Sequence, residues 1–250
     1  MPAAPLKDVS IIVAAYNALE YSKACLQAIR DYTPPGYELL LINNGSTDGT
    51  KEFFEQIPGA QVINNEKNRG FAGGYNQGID AASTRHMVLL NNDCIVSHNW
   101  LSNMLACSES EPGIGIVGPR GNRIPGRQRL EREFKDMDEL YAFTATFNQP
   151  DSSRWFPVSS LSGFCFLLKR EVVEKAGFFD EAFGAGTHED ADYCVRTRLA
   201  GFKLYCAGDV FVYHFSHRTF IANNIDLQRL YQYNKYLFNR KWSPQSHKEE

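Results

Sequence analysis

The chain has 250 residues and a formal net charge of −3, with 43% hydrophobic and 22% charged residues. Such a chain can bury the core of one sizeable α/β domain, which excludes global disorder. The small net charge argues against a nucleic-acid partner. The apolar runs are too short to span a bilayer, and the first eight residues lack the apolar centre of a secretory signal, so we expect a cytoplasmic protein.

Strand and helix patterns alternate along the first half of the chain. Short β-branched or leucine-rich runs predict strands buried on both faces, at Val9–Ala14, Glu38–Ile42, Gln61–Ile63, His86–Leu90 and Ile114–Val117. Helices are predicted between them, at Tyr21–Arg30, Thr50–Gln56 and Phe71–Ala82. Strands joined by helices form right-handed parallel crossovers. We therefore predict an α/β fold, with a doubly wound, mostly parallel sheet flanked by helices in a single domain.

The pattern changes after Pro119. The segment from Arg120 to Pro157 is rich in charge, glycine and proline, and predicts a long irregular stretch with one short helix near Glu131–Leu140. Long loops in compact domains are often lids or binding loops. Beyond this segment, apolar patterns predict strands at Val158–Leu168, Lys203–Cys206 and Val210–Tyr213, and helices at Glu171–Ala176 and Asp190–Ala200.

Two further patterns concern packing. The stretch Asp226–Asn239 has one apolar helical face, which predicts a C-terminal helix that packs back on the domain or docks on a partner. The six cysteines lie in apolar patterns and lack the spacing of a metal site. We therefore predict that they are small buried hydrophobic residues without disulfides.

Polar residues follow three predicted strands at the point where each strand ends. The first strand is followed by Ala15-Tyr16-Asn17, the second by Asn43 to Asp48, and the fourth by Asn91-Asn92-Asp93. Ligands of open α/β sheets bind beyond the carboxyl ends of the strands. Each cluster alone also fits a turn, but together they predict one site, in which Asp93 could hold a divalent cation between two phosphates.

Two other features allow two interpretations each. Gly70-Phe71-Ala72-Gly73-Gly74 opens a predicted helix, and its glycines fit either phosphate binding or close packing of the helix on the sheet. The spacing does not form a dinucleotide fingerprint. His214 ends the last predicted strand and fits either a structural residue or a metal ligand.

Three carboxylates crowd the start of a predicted helix at Glu189, Asp190 and Asp192. Their mutual repulsion raises the pKa of one of them, which suits a general base. Helix capping explains one or two of the three, but hardly all.

Helix geometry separates these acids. Residues 189 and 192 share a face, whereas residue 190 points about 100° away from 189. Asp192 can pair with Arg196 four residues later. The packing side of the helix is predicted from its apolar positions, Ala191, Val195 and Leu199.

Seven stretches, in this order, resemble the family-2 glycosyltransferases of the GT-A fold. They are SIIVAAYNALEY, LLINNGSTDGT, NRGFAGGYNQGI, HMVLLNNDC, SGFCFLLKREVVEKAGFFDEAF, EDADYCVRTRLAGF and VYHFSH, and LFNRKW is similar to the closing helix of the family. The resemblance covers Val9 to Trp242, except for Arg120 to Pro157. It implies an inverting, metal-dependent enzyme that uses Mn²⁺ or Mg²⁺.

The resemblance also implies roles for particular residues. Asp190 falls on the catalytic base, with Glu189 beside it, and Asp93 and His214 fall on the metal site. The implied nucleotide-sugar site comprises Ala15, Tyr16, Asn17, Asn43, Asp48, Gly73, Asn76, Asn91, Asn92 and Gly163. Asn91 and Asn43 stand where the family more often has Asp, which predicts weaker metal binding and leaves the selectivity for the nucleotide base open.

These expectations define one GT-A domain at residues 1–242. It would contain a nucleotide-binding half at about 8–118, an acceptor-binding half at about 119–216 and a closing helix at about 224–242, followed by a polar tail at 243–250. The implied reaction transfers a sugar from a nucleotide-diphosphate sugar to a hydroxyl of a glycan, a lipid-linked glycan or a protein-bound sugar. The alternatives are a non-catalytic sugar-nucleotide or glycan binding module and a nucleotidyltransferase.

Two regions point to partners. The C-terminal helix predicts peripheral membrane association or a protein partner. Five arginines in the irregular segment form either a solvated face or a site for an anionic or lipid-linked acceptor: Arg120, Arg123, Arg127, Arg129 and Arg132.

Overall fold

A computed structural model describes residues 8–243. Its main sheet has eight strands, in the order β3-β2-β1-β4-β8-β6-β9-β7, and a second sheet pairs β10 with β5. The strands are β1 (Val9–Ala15), β2 (Glu38–Asn43), β3 (Ala60–Asn64), β4 (His86–Asn91), β5 (Cys94–Ile95), β6 (Ile114–Arg120), β7 (Phe156–Val158), β8 (Cys165–Lys169), β9 (Lys203–Phe211) and β10 (Tyr213–His214). In the main sheet only β8 and β7 run antiparallel to their neighbours, so the sheet is mostly parallel.

Helices cover both faces of the sheet. They are α1 (Leu19–Tyr32), α2 (Thr50–Glu55), α3 (Gly70–Ala81), α4 (Trp100–Glu109), α5 (Met137–Phe147), α6 (Arg170–Ala176), α7 (Glu189–Leu199), α8 (Arg218–Ala222) and α9 (Leu227–Trp242). The core on one face takes side chains from α1, α2, α4 and α5, and the core on the other takes side chains from α3, α6 and α7. Alternate residues of β1 enter the two cores, as a strand buried on both faces requires. The predicted doubly wound α/β fold is confirmed.

The second half differs from the predictions in several bounds. The single strand predicted at Val158–Leu168 is wrong, because β7 lies at the sheet edge beside β9 whereas β8 lies between β4 and β6. The two strands predicted at Lys203–Cys206 and Val210–Tyr213 are largely one continuous strand, β9. Helix α5 begins later than predicted because the Asp136 carboxylate caps it, accepting a hydrogen bond of 2.9 Å from Glu139 N.

Helix α4 was not predicted, although the sequence carries its signal. Trp100, Leu101, Met104 and Cys107 are buried along one face. Their spacing of three and four residues is that of an amphipathic helix. The helix joins β5 to β6 and fills the core on one side of the sheet.

The C-terminal helix packs back on the domain. Asn234 is its buried residue, and Lys241 and Trp242 both contact the fully buried Asp192 of α7. All six cysteines are buried with free thiols, as predicted. Within residues 8–243 no helix is both long enough and apolar enough to cross a bilayer. The predicted tail beyond Ser243 and the first seven residues of the predicted domain lie outside the described residues.

Candidate active site

The loops at the carboxyl ends of the parallel strands enclose a cavity of about 230 Å³. Six residues predicted from the sequence line it: Ala15, Tyr16, Asn91, Asn92, Asp93 and His214. We call it the donor cavity. These six lining residues come from the ends of β1, β4 and β10, which are distant in sequence but adjacent at this edge of the structure. The structure therefore brings together the clusters that follow the first and fourth predicted strands.

In the cluster after the second strand, the predicted residues Asn43 and Asp48 hold loops in place and do not line the cavity. The Asn43 side chain donates to Asn64 Oδ1 at 3.0 Å and accepts from Ser46 N at 3.0 Å, so it fixes its own loop instead of lining the cavity. Its neighbour Asn44 does line the cavity. Asp48 accepts from Leu19 N at 2.9 Å and thereby holds the start of α1.

Other implied residues also lie outside the cavity lining. Asn17 accepts from Thr47 N at 2.8 Å, which joins the first and second loops. Asn76 donates to Phe179 O and accepts from Phe179 N, at 3.0 and 2.9 Å, so it ties α3 to a distant loop. Gly73 faces Arg69 and Glu181. These residues support the site without touching the cavity.

The glycines of α3 serve close packing. A Cβ atom on Gly70 would lie 2.0 Å from the carbonyl oxygen of Gly184, and a Cβ atom on Gly78 would lie 2.3 Å from the Ile12 side chain. Gly70 also has a φ of +75°, which glycine adopts at little cost. Close packing thus explains Gly70 within the glycine-rich start and Gly78 beyond it, and Gly70 and Phe71 also line the donor cavity.

Asp93 and His214 lie side by side in the donor cavity. His214 Nε2 lies 3.1 Å from Asp93 Oδ1. Burial raises the pKa of Asp93, but the charge and hydrogen bond of His214, with two backbone amides, outweigh it and leave the pKa below its ordinary value. Asp93 is therefore an anion at neutral pH.

These residues fit a hard divalent cation. A carboxylate oxygen and an imidazole nitrogen are ligands that Mn²⁺ and Mg²⁺ accept, and His214 Nε2 is the ring nitrogen that faces the Asp93 carboxylate. The Cys94 sulfur also lies within 4.8 Å of both. Burial raises the pKa of this thiol well above its ordinary value, and Cys94 Sγ donates to Phe164 O, so Cys94 is the least suitable ligand of the three.

Residues 216–225 form one wall of the donor cavity. Arg218 N donates to Asp93 Oδ2 and Thr219 Oγ1 donates to Asn92 Oδ1, both at 3.4 Å. Asn223 secures the segment at its far end, donating to Tyr16 O at 2.9 Å and accepting from Asn17 Nδ2 at 2.6 Å. A bound donor would thus lie between the strand ends and this wall.

A second cavity of about 820 Å³ opens beside the first. Asp190 lines it, and Pro125, Ser162 and His217 line both cavities. We call it the acceptor cavity. Because these three residues line both, the two cavities are direct neighbours.

Asp190 is held firmly at the start of α7. Its Oδ2 accepts from Gly163 N at 2.9 Å and its Oδ1 accepts from Ala191 N at 2.7 Å. Gly163, which the resemblance assigned to the donor, therefore positions this carboxylate. Thr187 and His188 just before it have φ values of 73° and 66°. Such left-handed conformations cost free energy in residues other than glycine and occur often at functional sites.

Of the neighbouring acids Glu189 and Asp190, Asp190 is the one whose surroundings favour the ionised form. Burial, and then the negative charge of Asp190, raise the pKa of Glu189 well above its ordinary value. Glu189 Oε2 is buried without a hydrogen-bond partner. Burial also raises the pKa of Asp190, but amides of Gly163 and Ala191 oppose this effect. At neutral pH the geometry thus favours a neutral Glu189 beside an Asp190 carboxylate.

The packing side of α7 predicted from Ala191, Val195 and Leu199, with Cys194 beside it, is wrong at Leu199, whereas Cys194 is buried. Leu199 is 73% exposed, whereas Glu189, Asp192 and Thr197 are buried. Of these three, Asp192 is paired with Arg196, Lys241 and Trp242. The predicted partner Arg196 donates to Asp192 at 2.8 Å, which confirms that pair.

Several residues that line the two cavities were not predicted from the sequence. Tyr75 lines the donor cavity and donates to Asn91 Oδ1 at 3.2 Å. His188 and Tyr231 line the acceptor cavity with ring centroids 4.7 Å apart. Tyr75 lies in a stretch that resembles the family and could have been found there. Tyr231 could not, because its place in the site depends on how α9 folds back.

Proteins of similar sequence include the glycosyltransferase AglE of Haloferax volcanii, which is 28% identical over 215 residues, covering 84% of this chain and 67% of that protein. A poly-β-1,6-N-acetyl-D-glucosamine synthase of Staphylococcus epidermidis is 25% identical over 70% of this chain. The chain spans 42% of that synthase and 23% of an uncharacterised protein of Sinorhizobium fredii that is 25% identical.

Solved structures agree on the fold. GalNAc-T7 with UDP, GalNAc and Mn²⁺ has a TM-score of 0.66 at 17% identity, covering 84% of this chain and 44% of that chain. The mannosyltransferase PcManGT of Pyrobaculum calidifontis, in complex with GDP-Man and Mn²⁺, has a TM-score of 0.61 at 21% identity, covering 85% and 59%. The model of the Glycosyl transferase family 2 matches residues 10–177. The chain therefore belongs to glycosyl transferase family 2.

Proposed function

We propose that this chain transfers a sugar from a nucleotide-diphosphate sugar to an acceptor hydroxyl, with inversion at the anomeric carbon. The observation that carries this proposal is the shared wall of the two cavities, with the Asp93–His214 pair in one and Asp190 in the other. A pure binding module has no need of a partly buried carboxylate held by two amides. Membership of the family sets the nucleotidyltransferase alternative aside.

In this proposal each side chain has a defined task. Asp190 accepts the proton of the acceptor hydroxyl as its oxygen attacks the sugar, while the Gly163 amide keeps the carboxylate in place. Asp93 and His214 would hold a divalent cation, which would neutralise charge on the departing diphosphate. The wall of residues 216–225 excludes water from the donor. A single displacement at the anomeric carbon inverts its configuration.

A donor panel tests the proposal. UDP-, GDP- and dTDP-sugars are added with Mn²⁺, and both the melting temperature and the release of nucleoside diphosphate are measured. One donor should raise the melting temperature, because a ligand stabilises the state that it binds. Excess EDTA should abolish release of the diphosphate. Full release in EDTA would contradict the metal assignment, and the absence of any bound donor would contradict the function.

We also propose that the outer face of α9 contacts an anionic membrane surface. Arg229, Tyr233, Tyr236 and Arg240 recur at spacings of four, three and four residues, so they form one stripe along the helix. Tyr233 and Tyr236 are 58% and 60% exposed. Aromatic and basic side chains on one helical face suit the interface of an anionic bilayer. A cytoplasmic location, where the six buried thiols stay reduced, belongs to the same proposal and is tested by cell fractionation.

Vesicle sedimentation tests the membrane contact. The protein should sediment with phosphatidylglycerol vesicles and much less with phosphatidylcholine vesicles. The double variant Arg229→Glu/Arg240→Glu should lose most of this binding, whereas Gln232→Glu, a charge change beside the stripe, should retain most of it. Equal sedimentation of the double variant and the unaltered protein would overturn the assignment to α9.

A further inference from the structure

A third cavity, of about 680 Å³, is lined by four arginines and by no acidic residue among those described. The arginines are Arg120, Arg127, Arg129 and Arg154. We call it the arginine cavity. All four belong to the irregular segment from Arg120 to Pro157 that the family resemblance leaves unmatched, although Arg154 is not among the five arginines named from the sequence.

Backbone oxygens and aromatic rings, not carboxylates, fix two of the guanidinium groups. Arg154 donates to Phe147 O at 2.8 Å and to Gly208 O at 2.7 Å, and its guanidinium carbon lies 4.0 Å from the centre of the Phe147 ring. Arg127 lies 4.5 Å from the centre of the Phe156 ring. These contacts orient the two side chains, and neither forms an ion pair within 4.0 Å among the described residues, although the charge of Arg154 reaches Asp151 and helps to lower the pKa of that carboxyl.

The other two arginines also retain binding capacity. Arg120 donates to Arg129 O at 3.0 Å, but its Nε is buried without a hydrogen-bond partner. A buried donor left unpaired is costly, and an anion would remove that cost. Arg129 pairs with Glu131 at 2.9 Å, with both side chains more than half exposed, so the pair is weak and open to exchange.

The arginine cavity adjoins the acceptor cavity. Gly126 and Arg127 line both, within the 3₁₀ turn Gly126–Gln128. The Gln128 side chain accepts from Ser162 N at 2.7 Å, which fixes this turn against the loop beside Asp190. A molecule with a hydroxyl near Asp190 can thus extend across the turn toward the arginines.

We propose that the arginine cavity binds a phosphate or diphosphate group carried by the acceptor. This inference rests on the proposed function, whose acceptor class it narrows. Planar guanidinium groups pair bidentately with phosphate oxygens, and several cations converging on one cavity match a group that carries more than one negative charge. The aromatic rings of Phe147 and Phe156 offer an apolar surface beside that group.

Isothermal titration in EDTA tests this proposal, because EDTA suppresses metal-dependent binding at the donor cavity. The probes are inorganic pyrophosphate, a hexose 1-phosphate and geranyl diphosphate, with the free hexose as the uncharged comparison. The double variant Arg127→Gln/Arg129→Gln should weaken phosphate binding at least about tenfold, since two charge-assisted contacts are lost. The matched control is Arg132→Gln, whose guanidinium stacks on Phe143 outside the cavity, and it should change Kd by less than about twofold.

Each outcome has a defined meaning. Tighter binding of geranyl diphosphate than of pyrophosphate supports a lipid-linked acceptor, and tighter binding of the hexose phosphate supports a phosphorylated glycan. Unchanged affinity in the double variant, or no binding of any phosphate by the unaltered protein, overturns the proposal. Donor binding with Mn²⁺ is measured in parallel by thermal shift. Its absence in the unaltered protein would contradict the proposed function, whereas unchanged donor binding with lost phosphate binding in the double variant would support the arginine cavity alone.

Discussion

At the scale of single residues, two neighbouring acids at the start of α7 differ in what surrounds them. The Asp190 carboxylate accepts from two backbone amides, and hydrogen bonds of this kind stabilise a negative charge. Glu189 Oε2 has no partner, and its burial favours the neutral form. The pKa of Glu189 is therefore raised more freely than that of Asp190, whose amide partners oppose the effect of burial.

Substitution of Asp190 should separate chemistry from binding. In Asp190→Asn the shape and the Gly163 contact can persist, but no proton can be accepted, so kcat should fall by roughly a hundredfold or more. Donor affinity should stay within about twofold. Glu189→Gln is the matched control, and it should cost far less because Glu189 is already neutral. A collapse of kcat in Glu189→Gln, with near-normal Asp190→Asn, would move the base to Glu189.

The protonation of Asp190 should also determine how kcat/KM depends on pH. The base acts only when Asp190 is unprotonated, so kcat/KM should fall as the pH falls through the pKa of that group. Burial raises this pKa above that of an exposed aspartate, and the acidic limb should therefore lie at higher pH than for an exposed carboxylate. A pH–rate profile measures it. A rate that stays constant down to the range of an ordinary aspartate would contradict the assignment.

At the scale of elements, the segment from α8 to Asn223 couples to loops far away in sequence. Asn223 bonds to Tyr16 and Asn17, which are more than 200 residues earlier. Such contacts close one side of the donor cavity. No local pattern in the sequence indicates them, because side-chain hydrogen bonds between distant loops have no characteristic spacing.

Loss of this contact should weaken donor binding more than turnover. Asn223→Ala removes the side-chain bonds to Tyr16 and Asn17, each worth about 1 kcal/mol, so the KM for the donor should rise roughly tenfold while kcat changes little. Asn239→Ala, an exposed asparagine of α9, serves as the control and should leave KM unchanged. Steady-state kinetics with varied donor decide between these outcomes. An unaltered KM in Asn223→Ala would show that the wall does not hold the donor.

Helix α9 also makes contacts with a distant loop that no local sequence pattern indicates. Its amphipathic pattern predicted a helix that packs back or docks elsewhere, and the structure shows how it packs. The Asn234 amide donates to the carbonyl oxygens of Phe183, Gly186 and Thr187, at 2.7, 2.6 and 3.1 Å. It thereby holds the loop that leads into Asp190. The periodicity of the sequence gives the helix, but not the loop that its polar residue supports.

At the scale of the whole molecule, the C-terminal helix and the body of the domain are joined through one buried charge. Asp192 is fully buried and lies 2.8 Å from both Arg196 and Lys241. Without the Asp192 carboxylate, Arg196 loses its ion-pair partner, whereas Lys241 keeps Asp180 at 2.7 Å. Breaking a buried ion pair typically costs about 3–5 kcal/mol. The stability of the fold should therefore depend on Asp192.

Urea unfolding measures this dependence. Asp192→Asn should lower the free energy of unfolding by about 3 kcal/mol or more. The matched control is Asp180→Asn, which also removes a partner of Lys241, at 2.7 Å, but from a partly exposed pair, and should cost about 1 kcal/mol or less. Equal effects of the two substitutions would contradict the structural role assigned to Asp192.

The sequence predicted the fold better than it predicted the site. Apolar runs such as β1 and β4 are buried on both faces, and this environment leaves a clear pattern in composition. Asp93 was identifiable because it follows a predicted strand directly. Asn43 was assigned to the donor one position away from Asn44, which lines the cavity, because a strand end does not reveal which of two adjacent amides faces inward.

The placement of β8 has a consequence for protein engineering. This strand belongs to the predicted acceptor half, yet it lies between β4 and β6 of the predicted nucleotide half. A cut near residue 118 would therefore leave two strand edges unpaired in the middle of the sheet, and exposed edges promote aggregation. Chimeras that exchange whole halves between relatives should misfold. New acceptor specificity is better sought by grafting the loop from 121 to 136, which leaves every strand of the main sheet with its own neighbours.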